Sequence, residues 1–217
     1  MVNTLEMISD LLAGLAVSVE IFIFTLLIAL PLGFIVALGR MSGSAAVSGF
    51  FRVFISIVRG TPLMLQIMFV YFAPYLLFGM PLVKYPRLLA TVLAFGLNYA
   101  AYFGEIYRGG ILSIDKGQRE AARALGMGGM TTFFRIILPQ TVKRVIPAIG
   151  NEVITLVKDT SLAFTIAVTE MFTVAKQLSS ANTTMTPLIA AGVFYYLFNY
   201  LVAFGMERVE KRLAYYD

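Results

Sequence analysis

Residues 108 to 144 read RGGILSIDKGQREAARALGMGGMTTFFRIILPQTVKR, a polar island in an apolar chain. A charge at the centre of a spanning helix costs roughly 2.5 to 3.5 kcal/mol, so a segment this rich in arginine and lysine does not cross a bilayer. On its N-terminal side lie three windows without a charged residue: nineteen residues from Ile21 to Gly39, twenty-four from Gly60 to Val83 and seventeen from Leu88 to Gly104. On its C-terminal side thirty residues from Gln177 to Met206 are free of charge, and Val145 to Thr169 has the length of a span broken only by Glu152, Lys158 and Asp159. Each is long enough to cross a hydrocarbon core of roughly 30 Å as a helix. The reading is an all-α membrane protein with five transmembrane helices, three before the island and two after it.

Composition points the same way. The 217 residues are 59% hydrophobic and 13% charged, with a mean hydropathy of +0.83, outside the usual range of soluble domains. Histidine and cysteine are absent, which removes disulfides, thiol chemistry, a histidine base and most zinc sites; no metal site is expected. The acidic start MVNTLEMISD lacks a basic n-region and a cleavage site, so the first apolar segment reads as a retained span. With no linker-like stretch and no internal repeat, residues 1–217 read as a single domain.

Lysine and arginine set the orientation. With the N-terminus outside, twelve of the seventeen basic residues fall on the inner side and three, Lys84, Arg87 and Lys176, on the outer side. The positive-inside rule therefore places the C-terminus in the cytoplasm. A net charge of +5 then reflects a basic face toward anionic lipid and needs no nucleic acid.

Within the island, Gln118 to Leu125 is a run of helix formers ended by Gly126, the residue type suited to a left-handed C-cap. Ala121, Ala122 and Ala124 leave room for another protein to approach closely, with Arg119, Glu120 and Arg123 supplying charge around them. Phe133, Phe134, Ile136, Ile137 and Leu138 make the next piece amphipathic, and Pro139 is expected to end or bend it. By periodicity alone this would be a surface helix lying on the headgroups.

Glu120-Ala121-Ala122, Gly126, and Ile136, Leu138 and Pro139 after a gap resemble the EAA signature of ATP-binding cassette (ABC) importer permeases. RGTPLMLQ at 59–66, EIYRGGILSIDKGQ at 105–118, LPQTVKRVIPAIGN at 138–151 and KDTSLAF at 158–164 are similar to the branch that serves polar amino acids. The first forty residues resemble it least, and the acid at Glu152 is a departure, since an acid is not expected there in every member; the position is expected to report substrate choice. The resemblance implies a type I ABC importer fold in a multi-pass protein of the bacterial cytoplasmic (inner) membrane. It also implies a dimer with an identical copy or a homologous sister chain, and two copies of a cytoplasmic ABC ATPase. An extracytoplasmic amino acid-binding protein would deliver the substrate. On this reading the loop at about 108–144 carries a cytoplasmic coupling helix between spans 3 and 4. Its ATPase-coupling residues are Gln118, Arg119, Glu120, Ala121, Ala122, Arg123, Ala124, Leu125 and Gly126. The chain contains no G-x-x-x-x-G-K-[ST], so it binds no cofactor of its own: ATP and magnesium belong to the partner, and this chain is a transport subunit without catalytic residues.

The charges in the fourth apolar segment need partners or work. Glu152 and Asp159 are seven apart and share a helix face with Thr155. Asn98, Tyr102 and Glu105 form a second polar stripe at i, i+4 and i+7. Thr61 precedes Pro62, whose ring disturbs helix as broken helices around transporter sites do. Two carboxylates about 10 Å apart along a helix suit a ligand with positive charge at both ends. The expectation is a basic amino acid (arginine, lysine or histidine) translocated by alternating access. Glu152 and Asp159 would hold its cationic ends, and Asn98, Thr61, Tyr102 and Ser161 would offer neutral hydrogen bonds. The α-carboxylate would meet backbone N–H groups or Arg59.

Structural readings stand beside these: Asp159 as a buried partner of Arg59 or Lys158, Glu105 as a helix-end partner of Arg108, and Tyr102 as packing. Other cargoes and classes remain in view. Glutamine or another polar amino acid is one, and an ion-coupled secondary transporter is another, although five spans do not divide into equal inverted repeats. An intramembrane enzyme would need a second aspartate at the depth of Asp159.

Overall fold

The structure, a computed structural model, describes residues 4–81 and 86–213. Lys84, one of the three basic residues assigned to the outer loops, lies outside the described residues. Among them there is no strand. Nine α-helices follow in order: α1 Thr4–Arg40, α2 Ala45–Gly60, α3 Leu63–Phe78, α4 Arg87–Ser113, α5 Lys116–Ala124, α6 Gly129–Thr132, α7 Leu138–Asp159, α8 Met171–Asn182 and α9 Thr186–Leu213. A π turn, Phe133–Ile137, joins α6 to α7, and a 3-10 helix, Thr160–Ile166, extends α7.

Of these, α1, α4 and α9 are long and apolar enough to cross a membrane. The pair α2 and α3 passes the same test together but is bent by 110° at Thr61-Pro62. The turn falls at the start of the span expected from Gly60 to Val83, whose described helix, α3, begins only at Leu63. Pro62 takes an extended conformation (φ −62°, ψ 134°) as the N-cap of α3, which removes a helical donor and redirects the chain. The amphipathic helix α2 ahead of the bend was not anticipated.

Three further boundaries differ from the reading. Helix α1 begins at Thr4 and carries Glu6, Asp10 and Glu20 before the first charge-free window opens. Pro139 does not end a helix: it sits in the first turn of α7 directly after the π turn Phe133–Ile137, with helical backbone on both sides, so the expected disturbance takes the form of a π turn. The window from Gln177 to Met206 is two helices, α8 and α9, separated at Thr183, which adopts φ +50°. Absence of charge cannot report a break of this kind, because the residues around it, from Ser179 to Thr184, are uncharged and, Ala181 apart, polar.

The core is built on α4. Phe95, Tyr99 and Phe103 are fully buried along one face and pack in one cluster with Ile21, Ile67, Leu156 and Val157. Close approach of α1 depends on glycine. A Cβ on Gly33 would lie 2.7 Å from Phe103 Cβ, and one on Gly104 would lie 2.6 Å from Val36 Cγ1, so neither site has room for a methyl. Association between membrane helices gains from small residues in this way, because backbones can pack at short range where lipid competes with every apolar side chain.

Candidate functional site

The bend between α2 and α3, the middle of α4 and the end of α7 enclose a cavity of about 260 Å³, lined by Thr61, Pro62, Leu63, Asn98, Tyr99, Tyr102, Glu152, Thr155 and Asp159. Five of the six residues singled out as substrate contacts therefore share one space. Ser161 is not in its lining; it lies in the 3-10 helix and its hydroxyl donates to Lys158 O at 2.8 Å. Asp159 is the last residue of α7 and not the middle of a long helix, so the cavity sits where regular helix gives way on two sides, at the α2–α3 bend and at the end of α7.

Five of the lining side chains, Thr61, Asn98, Tyr99, Tyr102 and Asp159, have specific partners. Tyr99 OH donates to Asp159 Oδ2 at 2.7 Å, which ties α4 to α7. Gln66 closes the bend: its Nε2 donates to Val58 O, Thr61 O and Thr61 Oγ1 at 2.7, 3.1 and 2.9 Å. Its Oε1 accepts from Asn98 Nδ2 at 3.0 Å, linking the bend to α4. Thr61 Oγ1 donates to Ile57 O at 2.8 Å and so satisfies a carbonyl left over where α2 stops. The Arg59 guanidinium lies 4.8 Å from the centre of the Tyr102 ring, a cation–π contact at the cavity edge.

Among the described residues neither Glu152 nor Asp159 forms an ion pair. Asp159 makes no salt bridge to Arg59 or Lys158 among the described residues; its hydrogen-bond partner is the Tyr99 hydroxyl. Glu105 behaves as the helix-end reading expected. It takes Arg108 through two oxygens, with Nη2 to Oε2 at 2.7 Å, lies 3.9 Å from Arg40 Nε, and stays outside this cavity. No group of three or more acidic residues converges as a metal site among the described residues.

Tyr99 and Gln66 were missed as site residues. Tyr99 continues the aromatic row of Phe95 and Phe103 and so looks like core in sequence, while only its hydroxyl, three dimensions away from that pattern, reaches Asp159. A signal for Gln66 existed, as a lone amide four residues after Pro62 in an apolar helix, where an unpaired polar group would be costly.

At the island, α5 spans Lys116–Ala124 and ends as the composition predicts, with Gly126 at φ +74°. Asp115 caps its start, accepting from Gly117 N at 2.6 Å. Ala122 is buried against the body of the protein, while Ala121, Ala124 and Leu125 face outward, Leu125 with 81% of its surface exposed.

A long helical body with a half-open polar cavity and a short charged helix is matched by known proteins. Residues 29–215 fit the family described as the binding-protein-dependent transport system inner membrane component. The chain belongs to that family. As a member, it is the membrane permease subunit of a transport system, a transport component and not an enzyme. It is 37% identical over 215 residues to the arginine transport system permease protein ArtQ of Bacillus subtilis (strain 168), covering 99% of this chain and 97% of that protein. It is also 37% identical over 205 residues to the L-cystine transport system permease protein TcyB of the same organism, with 94% and 86% covered. The crystal structure of an amino acid ABC transporter with histidines superposes with a TM-score of 0.87 at 29% identity, over 98% of this chain and 99% of that one. The family member described here thus has the type I ABC importer permease fold.

Proposed function

We propose that this chain is the permease of an ATP-driven amino acid importer in a bacterial inner membrane, and that its cargo is a basic amino acid. The observation that carries the cargo is the cavity itself: two carboxylates, Glu152 and Asp159, line one space with no ion-pair partner among the described residues. Residues two helical turns apart lie about 10 Å apart along the axis, a span that an extended arginine or lysine bridges with its two cationic ends. At about 260 Å³ the cavity is just below the roughly 300–1,000 Å³ of drug-sized pockets, which suits one amino acid. Asn98, Thr61 and Tyr102 contribute neutral contacts, and Arg59, held over Tyr102, is placed to meet the substrate carboxylate. The arginine permease among the relatives supports this cargo; the equally similar cystine permease is the reason to test it.

The five-span reading takes α1, α3, α4, α7 with its 3-10 extension, and α9 as the membrane crossings of a single domain over residues 1–217. The N-terminus is outside and the C-terminus cytoplasmic. Helix α5 is then the coupling helix. Its outward alanines and Leu125 seat in a cleft of a cytoplasmic ATPase, which alone binds ATP and magnesium. Two ATPase copies closing on ATP would draw together the coupling helices of two permease subunits, identical or sister chains. That motion turns the cavity from inward- to outward-facing, toward an amino acid-binding protein.

Uptake of labelled arginine into proteoliposomes tests the class. The assembled transporter is expected to import only with ATP inside the ATPase-accessible compartment and the binding protein on the opposite side. Uptake by this chain alone, driven by a proton gradient, would make it a secondary transporter instead.

A further inference from the structure

We propose that a second cavity, at the basic rim of the membrane body, holds the phosphate headgroup of an anionic phospholipid. The cavity measures about 660 Å³ and lies between the end of α1, the last turns of α4, helix α5 and the π turn at Phe133. Four arginines line it, Arg40, Arg108, Arg119 and Arg123.

The charge balance calls for an anion. Glu105 is the acid that meets this group: it pairs with Arg108 and approaches Arg40 at 3.9 Å. Arg40 also donates to Ser48 Oγ at 3.3 Å. Arg119 and Arg123 have no ion pair among the described residues. They are four apart on α5, where like charges on one helix face repel unless something negative lies between them. Asp115 and Glu120 lie at and on α5 but neither lines the cavity nor ion-pairs with Arg119 or Arg123 among the described residues, so the cavity wall itself carries four arginines and no acid.

The rest of the wall identifies the kind of anion. Leu38 and Leu112 line the same cavity and remain 44% and 57% exposed, one near the end of each spanning helix. A free phosphate has no use for that apolar wall. A phospholipid supplies both parts, a phosphate for the arginines and acyl chains that continue past Leu38 and Leu112 into the bilayer. Basic pockets between helices at the positively charged membrane face are where anionic headgroups bind. This site is separate from the cargo cavity and does not depend on which amino acid is carried.

Native mass spectrometry of the assembled transporter, exchanged into nanodiscs of phosphatidylglycerol and phosphatidylcholine in equal parts, tests it. Phosphatidylglycerol is expected to be retained preferentially, with retention falling about fivefold for Arg40→Gln and again for Arg119→Gln. Leu112→Glu, at an exposed position that tolerates substitution, puts a carboxylate at the mouth and should abolish the preference while the assembly stays intact. Equal retention of the two lipids, or unchanged preference in all three variants, overturns the proposal. So does displacement of the lipid by glycerol phosphate or inorganic phosphate at equal concentration, since the site would then take a soluble anion without using its apolar wall.

Discussion

A single hydroxyl fixes how the cargo cavity is organised. Tyr99 is fully enclosed in the aromatic row of α4, and its only polar atom is spent on Asp159. Replacing it with phenylalanine keeps the packing and frees one carboxylate oxygen. Because a hydrogen bond to a charged group is worth about 1.5–3 kcal/mol, Tyr99→Phe is expected to change the apparent KM for cationic cargo at least about tenfold while assembly is unaffected. An unaltered KM would mean that Asp159 does not touch the substrate. A second acid acts purely on structure. Glu170 is buried and caps α8 through Phe172 N and Thr173 N, both at 2.7 Å, while Thr173 Oγ1 and Tyr195 OH also donate to it. Glutamine there would turn one acceptor oxygen into a donor facing donors. Glu170→Gln should lower the stability of the purified assembly by about 2 kcal/mol or more, read as a reduced melting temperature. At this scale the sequence was half legible. Glu152 and Asp159 stand out because a charge in an apolar run is costly, whereas Glu170 stands at the edge of such a run and nothing local reports that α1, α8 and α9 converge on it.

Elements divide into those whose ends are written in local chemistry and those whose ends are not. Helix α5 stops where glycine allows φ +74°, and the cap at Asp115 is equally local. Its outward alanines make a concrete prediction: Ala121→Phe, at an exposed position, should leave the fold intact yet reduce copurification of the ATPase and ATP-dependent uptake by about tenfold or more. Normal uptake would remove α5 from the coupling role. The α1–α4 contact is also glycine-dependent, but the dependence shows only in three dimensions. Gly104→Leu must displace Val36, which stands 2.6 Å from the position of the new Cβ, and overpacking of this kind costs about 1–3 kcal/mol. Lower yield of folded protein in detergent is the expected readout, and an undiminished yield would show that the two helices can separate freely. The break of the second span at Pro62 was visible as a disturbance; its 110° extent was not, because it depends on Gln66 bridging the two arms and reaching Asn98.

For the whole molecule, charge distribution and apolar windows were enough to assign a helical membrane protein, and the EAA pattern was enough to suggest the family. Counting crossings was harder. Apolar windows merged α8 with α9, whose break falls at uncharged residues, and passed over α2, which lies between two windows and carries Arg52 and Arg59. Central here is that two carboxylates in one cavity, neither in an ion pair among the described residues, select a cation. The most direct measurement is competition for labelled arginine uptake by the assembled transporter, carrying either the parent permease or Glu152→Gln, with unlabelled arginine, lysine, histidine, glutamine and cystine as competitors. With the parent permease the basic amino acids are expected to compete strongly against labelled arginine, and Glu152→Gln is expected to weaken arginine relative to glutamine by about tenfold, the worth of one charge-assisted contact. A parent transporter inhibited as well by glutamine or cystine as by arginine, with a profile unmoved by Glu152→Gln, would contradict this selection of a cation.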